Sequence, residues 1–272
     1  MKNILRADFF ELRKSKIFYI LLGVSVLLGL LMPLMYYSIE AMFDSLSSLE
    51  ALKDNPSFAA SMQMFKAFDG RTVFLSSLPM TQGIGFIIAP MIGFRAVRPF
   101  STGIYRNKVI AQSSRAGIYL SQSLVCLLIS WVSAALYAGA AYLGTLMSYG
   151  KIELTGRETV GIVVFSLGVY LVYTAIPVFI AFLTRSVPLS IVLPLVLPLL
   201  VQLFVSLGGT ALAGASEGIK TALTAIPGFQ SLSLSGPGAT DAALIVAGVS
   251  DVLITAILTT VGILRFRKAD MK

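Results

Sequence analysis

Residues 17–37 read "IFYILLGVSVLLGLLMPLMYY", a run of residues with no charged side chain. A helix crossing a bilayer needs roughly 20 mostly apolar residues, so this run is long enough to span one. It is too long for the apolar core of a signal peptide, and no small-residue cleavage site follows it. It is expected to remain as an anchor. Working outward and using charges as boundaries, five more runs appear, giving spans of about 17–38, 74–96, 117–147, 160–184, 187–208 and 242–264. The reading is an all-α polytopic membrane protein with six transmembrane helices, residues 1–272 forming a single transmembrane domain.

Composition agrees. The chain has 272 residues, is 56% hydrophobic and 12% charged, with a mean hydropathy of +0.86. A soluble domain carries about 25% charged residues, and a folded surface facing water cannot do without them. The net charge of +8 raises nucleic acid as a partner. The basic residues sit in short links between apolar runs, however, not along one solvated face, so the partner expected is the lipid bilayer. Cys126 lies inside an apolar run, where a lone thiol packs as a small hydrophobe.

The links also orient the chain. Segments 1–16, 95–116, 185–186 and 265–272 hold 15 of the 21 Lys and Arg and only three acids, Asp8, Glu11 and Asp270. The opposite links, 39–73, 148–159 and 209–241, hold six basic residues and nine acids. By the positive-inside rule both termini and the 95–116 hairpin face the cytoplasm, which an even number of spans requires. The expected location is the cell membrane. Segment 39–73 reads as two short amphipathic helices broken at Asn55-Pro56. The fifth run carries Pro188, Pro194 and Pro198, so a bent or broken helix is expected there.

In the N-terminal tail, Leu5, Phe9 and Leu12 recur at i, i+4 and i+7 with basic residues between them. This spacing predicts an amphipathic interfacial helix, its apolar face in lipid and its cations near anionic headgroups.

The 98–119 stretch, "RPFSTGIYRNKVIAQSSRAGIY", holds Arg98, Arg106, Lys108 and Arg115 and no acid. Read through to residue 123, it resembles the cytoplasmic hairpin of type-2 export permeases of the ATP-binding-cassette (ABC) transporters. The matching positions are Gly103, Arg106, Asn107, Lys108, Ser114, Arg115, Ile118, Tyr119 and Leu120. The ending "FRKADMK", Phe266 to Lys272, is similar to that family's ending. Arg95 and Arg98 stand where the family often has an acid. The resemblance implies the type-2 ABC exporter permease fold, with 95–116 as a coupling hairpin seated on a separate ABC ATPase subunit. Gly103, Arg106, Asn107, Lys108, Ser114 and Arg115 would then be the ATPase-coupling residues. It further implies export of an amphipathic or hydrophobic substrate (drug, antimicrobial peptide or lipid) by alternating access. The permease would act as a dimer with a second copy or a paralogue.

This chain is not expected to be an enzyme. It has no G-x-x-x-x-G-K-[ST] phosphate loop and no stretch long enough for a nucleotide-binding domain, so ATP and magnesium would be bound by the partner, with no cofactor here. "LSGPG" at 234–238 reads as a turn on the outer side. With no His, neither a zinc protease motif nor a Ser–His dyad is possible. Asp251 is the one acid deep in an apolar run. An Asp at the bilayer centre costs about 2.5–3.5 kcal/mol, so it must face protein or water. It either lines the substrate path or is held by a neighbouring helix. Two other readings stand beside the permease: an ion-coupled secondary transporter, and a structural or signalling membrane protein with a permease-like fold. The first normally needs several intramembrane ionisable groups, and here there is one.

Overall fold

The computed structural model describes residues 2–47, 69–78, 85–111, 114–213, 216–226, 230 and 241–268. Among these residues the chain is all helical, with no strand. In chain order the helices are α1 (Lys2–Lys14), α2 (Lys16–Ser47), α3 (Gly70–Ser77), α4 (Gly85–Ser101) and α5 (Ile104–Ile110). They continue with α6 (Arg115–Tyr149), α7 (Gly156–Thr184), α8 (Val187–Ala213), α9 (Glu217–Leu223) and α10 (Asp241–Lys268). Four of them, α2, α6, α7 and α10, are long and apolar enough to cross a membrane. The coarse expectation of a helical membrane protein therefore holds.

Three boundaries differ from the sequence reading. The run 74–96 is not one helix: α3 stops at Ser77 with Leu78 as its C-cap, and α4 begins at Gly85. Pro79 follows that cap, and proline has no N–H with which to continue the helix's hydrogen bonds. Second, α2 continues to Ser47 and takes up residues 39–47 as helix, while α3 takes up 70–73. The expected break at Asn55-Pro56 and the Met and Phe residues of 58–68 lie outside the described residues. Third, α8 runs unbroken from Val187 to Ala213 despite its prolines. Pro188 falls in the first turn, where the missing N–H has no intrahelical acceptor in any case. Pro194 and Pro198 are one turn apart, so the rungs they remove lie on one side and the other side stays bonded.

Packing follows the small residues. α2 lies along α6, α7 along α10, and α4 against α7 and α8. A Cβ on Gly29 would come 2.5 Å from the Tyr137 carbonyl, and one on Gly144 would come 3.1 Å from the Leu30 carbonyl. These two glycines set the α2–α6 distance, whereas Gly139 faces open space. Gly93 lets α4 cross α8 at Ser190 in the same way. At 1.5 Å per residue α6 is about 52 Å long, well beyond a hydrocarbon layer of about 30 Å, so it carries the bundle past the membrane at one end or both. At the end away from the hairpin, Asp69 caps α3 by accepting from the Thr72 amide at 2.7 Å. Hydrogen bonding from Thr72 holds the Asp69 carboxyl below the usual carboxylate range. Arg71 pairs with Glu158, which also closes a capping box with Thr155 at the start of α7.

Gly29→Val should lower stability by about 1–3 kcal/mol, because the α2–α6 seam must open, while Gly139→Ala should be near neutral. Thermal unfolding of the two variants in one detergent checks the difference.

Candidate functional site

The described residues of 98–119 form a short arm at one end of the bundle. Helix α4 ends at Ser101, and Gly103 turns the chain with φ of 71°. That is the left-handed region, which glycine enters without strain. Helix α5 follows, and α6 starts with Ser114 as N-cap, its Oγ accepting from the Gly117 amide at 3.1 Å. Two of the sequence-selected residues, Gly103 and Ser114, therefore shape the arm.

The cations of the arm have different fates. Lys108 turns inward and pairs with Asp8 of α1, which is only 2% exposed. The second carboxylate oxygen of Asp8 accepts from Ser121 Oγ at 2.6 Å. Arg115 donates to the Arg267 carbonyl at 2.8 Å and the Phe266 carbonyl at 3.4 Å. It thus satisfies carbonyls at the C-terminal end of α10, where helices leave four without a partner. Arg106 and Asn107 are exposed on α5, and among the described residues Arg106 makes no ion pair. The three cations that the resemblance assigns to ATPase coupling therefore differ in their settings. Lys108 and Arg115 fasten the arm to the bundle, and Arg106 presents its charge outward. A buried Asp8 draws the nearest cation to itself, since an unpaired carboxylate there is costly.

Helix α1 also meets protein on its apolar side: Leu12 is buried, and Leu5 and Ile4 are partly buried against the core. Phe9 is exposed, as is Phe10 beside it. The apolar periodicity was a true signal of a helix with one dry side. Only tertiary packing decides whether that side meets lipid or α6.

Beneath the arm lies an aromatic knot that the sequence reading did not single out. Phe100, Tyr105, Tyr119, Phe182 and Phe266 come from α4, α5, α6, α7 and α10. Phe182 is its centre, with ring centroids 5.2 Å from Phe100, 5.2 Å from Tyr105, 4.7 Å from Tyr119 and 4.9 Å from Phe266. Tyr105 donates to the Ala96 carbonyl at 3.1 Å. A Cβ on Gly262 would meet the Tyr119 hydroxyl at 2.4 Å, so α10 closes tightly on α6 there. Edge-on aromatic pairs contribute about 0.5–1.5 kcal/mol each beyond area burial. Their signal in sequence is faint: an aromatic near the same end of three separate apolar runs, at 100, 182 and 266.

Asp251 lies far from this arm. It is 1% exposed, and its Oδ1 accepts from Gln230 Nε2 at 2.9 Å. A Cβ on Gly168 of α7 would come 2.5 Å from its Oδ2. It is ten residues into α10, about 15 Å along the helix. Thr224 meets the Ala243 carbonyl at 3.3 Å, two residues into the same helix. Thr224 thus sits beside the start of α10 and Gln230 farther along it, near its middle. Trp131 fills a gap against α7, donating to the Leu167 carbonyl at 3.3 Å. Residues 234–238 lie outside the described residues. Among the described residues no group of three or more acids or cysteines is placed to hold a metal.

Asp8→Ala strands Lys108 against a buried face and should cost about 3–5 kcal/mol. Asp8→Ala combined with Lys108→Met removes both charges and should recover most of that loss, as read by thermal unfolding in detergent. Among known proteins, no family model matches this chain and no curated protein matches it.

Proposed function

We propose that the chain is the membrane-spanning permease subunit of an ABC exporter, powered by separate ATPase subunits. The observation that carries this reading is the build of the arm. Its outer surface offers Arg106 and Asn107, while its inner surface is bolted by Lys108, Arg115 and Tyr105 to α1, α10 and the aromatic knot. A loop that only marked the positive side of a membrane needs no such fastening. A lever does, because a push on α5 must reach α7 and α10 without being lost in local motion. The resemblance of 103–120 to a permease hairpin supports the same reading.

In this proposal six spans cross the cell membrane: α2, α3 with α4, α6, α7, α8 and α10. Both termini and the arm are cytoplasmic. Two copies, or one copy with a paralogue, enclose a path for an amphipathic or hydrophobic cargo. ATP and magnesium bind in the partner ATPase. Arg106 contributes orientation and association rate more than raw affinity, as charges on an interface rim do. Asp251, sealed by Gly168 and Gln230, ties α7, α10 and the 209–241 link together and does not line the cargo path.

Arg106→Glu should leave insertion intact and weaken the complex with the ATPase by about five- to tenfold, more at low salt. Copurification and coupled ATP hydrolysis measure it, and full coupling in this variant overturns the assignment of Arg106. Asp251→Asn keeps an oxygen that accepts from Gln230, so transport in vesicles should be unchanged. Loss of transport at normal protein level would return Asp251 to the cargo path.

A further inference from the structure

The elbow between α1 and α2 and the facing side of α4 enclose a cavity of about 570 Å³, within the usual size of ligand sites. Its walls are mainly apolar, among them Phe18, Leu21 and Ile92, while four cations reach it: Lys14, Lys16, Arg95 and Arg98. Glu11 is the one acid that lines it. The cations are poorly served by the protein itself. Lys16 and Arg98 make no ion pair among the described residues. Arg95 donates a long 3.5 Å bond to the Asp8 carbonyl, and its Nε is buried with no acceptor. Four cations against one acid leave the lining, among the described residues, with an excess of positive charge that an anion in the cavity offsets. The cavity also sits at Lys16, where the apolar run of α2 begins.

We propose that this cavity is a binding site for one anionic phospholipid. Its phosphate lies among Lys16, Arg95 and Arg98, and the upper part of an acyl chain lies along Phe18 and Ile92. The cation excess selects an anion, and the apolar walls at the membrane boundary select one that carries a hydrocarbon tail. Basic pockets between helices hold anionic lipid headgroups by this same combination. A lipid here clamps α1 to α4, directly behind the arm. The inference rests on the membrane-spanning reading alone and needs no ATPase partner.

The test places the full chain in nanodiscs of phosphatidylcholine with a minor share of phosphatidylglycerol, then counts retained phosphatidylglycerol by native mass spectrometry. The wild type should retain one molecule. Arg98→Gln should lower retention about fivefold, the loss expected for one cation near an anionic lipid. Met91→Trp, which narrows the cavity with every charge kept, should also lower it. Arg13→Gln with Lys268→Gln, which removes two cations that do not line the cavity, should change nothing. Equal loss in that control, or no loss in either cavity variant, overturns the site. Displacement by glycerol 3-phosphate also overturns it, since the cavity would then bind a free anion. A chain that fails to enter nanodiscs would instead defeat the membrane reading.

Discussion

The buried carboxylate of Asp8 is the constraint around which one end of this molecule is organised. It sits in the first helix, nearly sealed from solvent, with Lys108 on one oxygen and Ser121 on the other. Removing either partner leaves a charge or a lone pair unpaired in a place where water does not reach. That requirement joins α1 to α5 and α6, whose residues lie 100 and 113 positions away in the chain. The carboxylate that Lys108 meets comes from α1, across space.

Around that pair the arm is made stiff by a different kind of force. The aromatic knot has no charge and little directionality beyond edge-to-face preference, but it gathers five helices at one point. Arg115 adds a polar stitch to the end of α10. The long helices are joined otherwise, by glycines that let backbones touch. Gly29, Gly93, Gly168 and Gly262 each sit where a Cβ would collide with a neighbouring element, and Gly144 where one would be tight. Without a hydrophobic drive between helices in lipid, close approach is what holds them together. The end with the arm is therefore locked, and much of the apolar outside of α2 and α10 is left for lipid or another chain.

Leu5 and Leu12 were readable as the apolar side of a helix, and they are. The pattern reports that one side avoids water, and it is silent on what replaces the water. Asp8 lies between them in sequence on that same side, and a carboxylate in the middle of an apolar stripe is the mark of a helix that meets protein with a waiting cation.

By itself the sequence determined the solvent of this protein. Uncharged runs near 20 residues leave a helix in lipid as the form that satisfies the backbone. It also located the arm, because Gly103 and Ser114 are local signals that act over three or four residues. The tertiary structure decided the rest: that Lys108 and Arg115 turn inward while Arg106 does not, that 74–96 is two helices, and that Asp251 is held by Gln230. Each of those outcomes depends on a partner dozens of residues away or on a helix end set by packing. Local pattern carries no information about such partners, because the energy that selects them exists only once the helices have met.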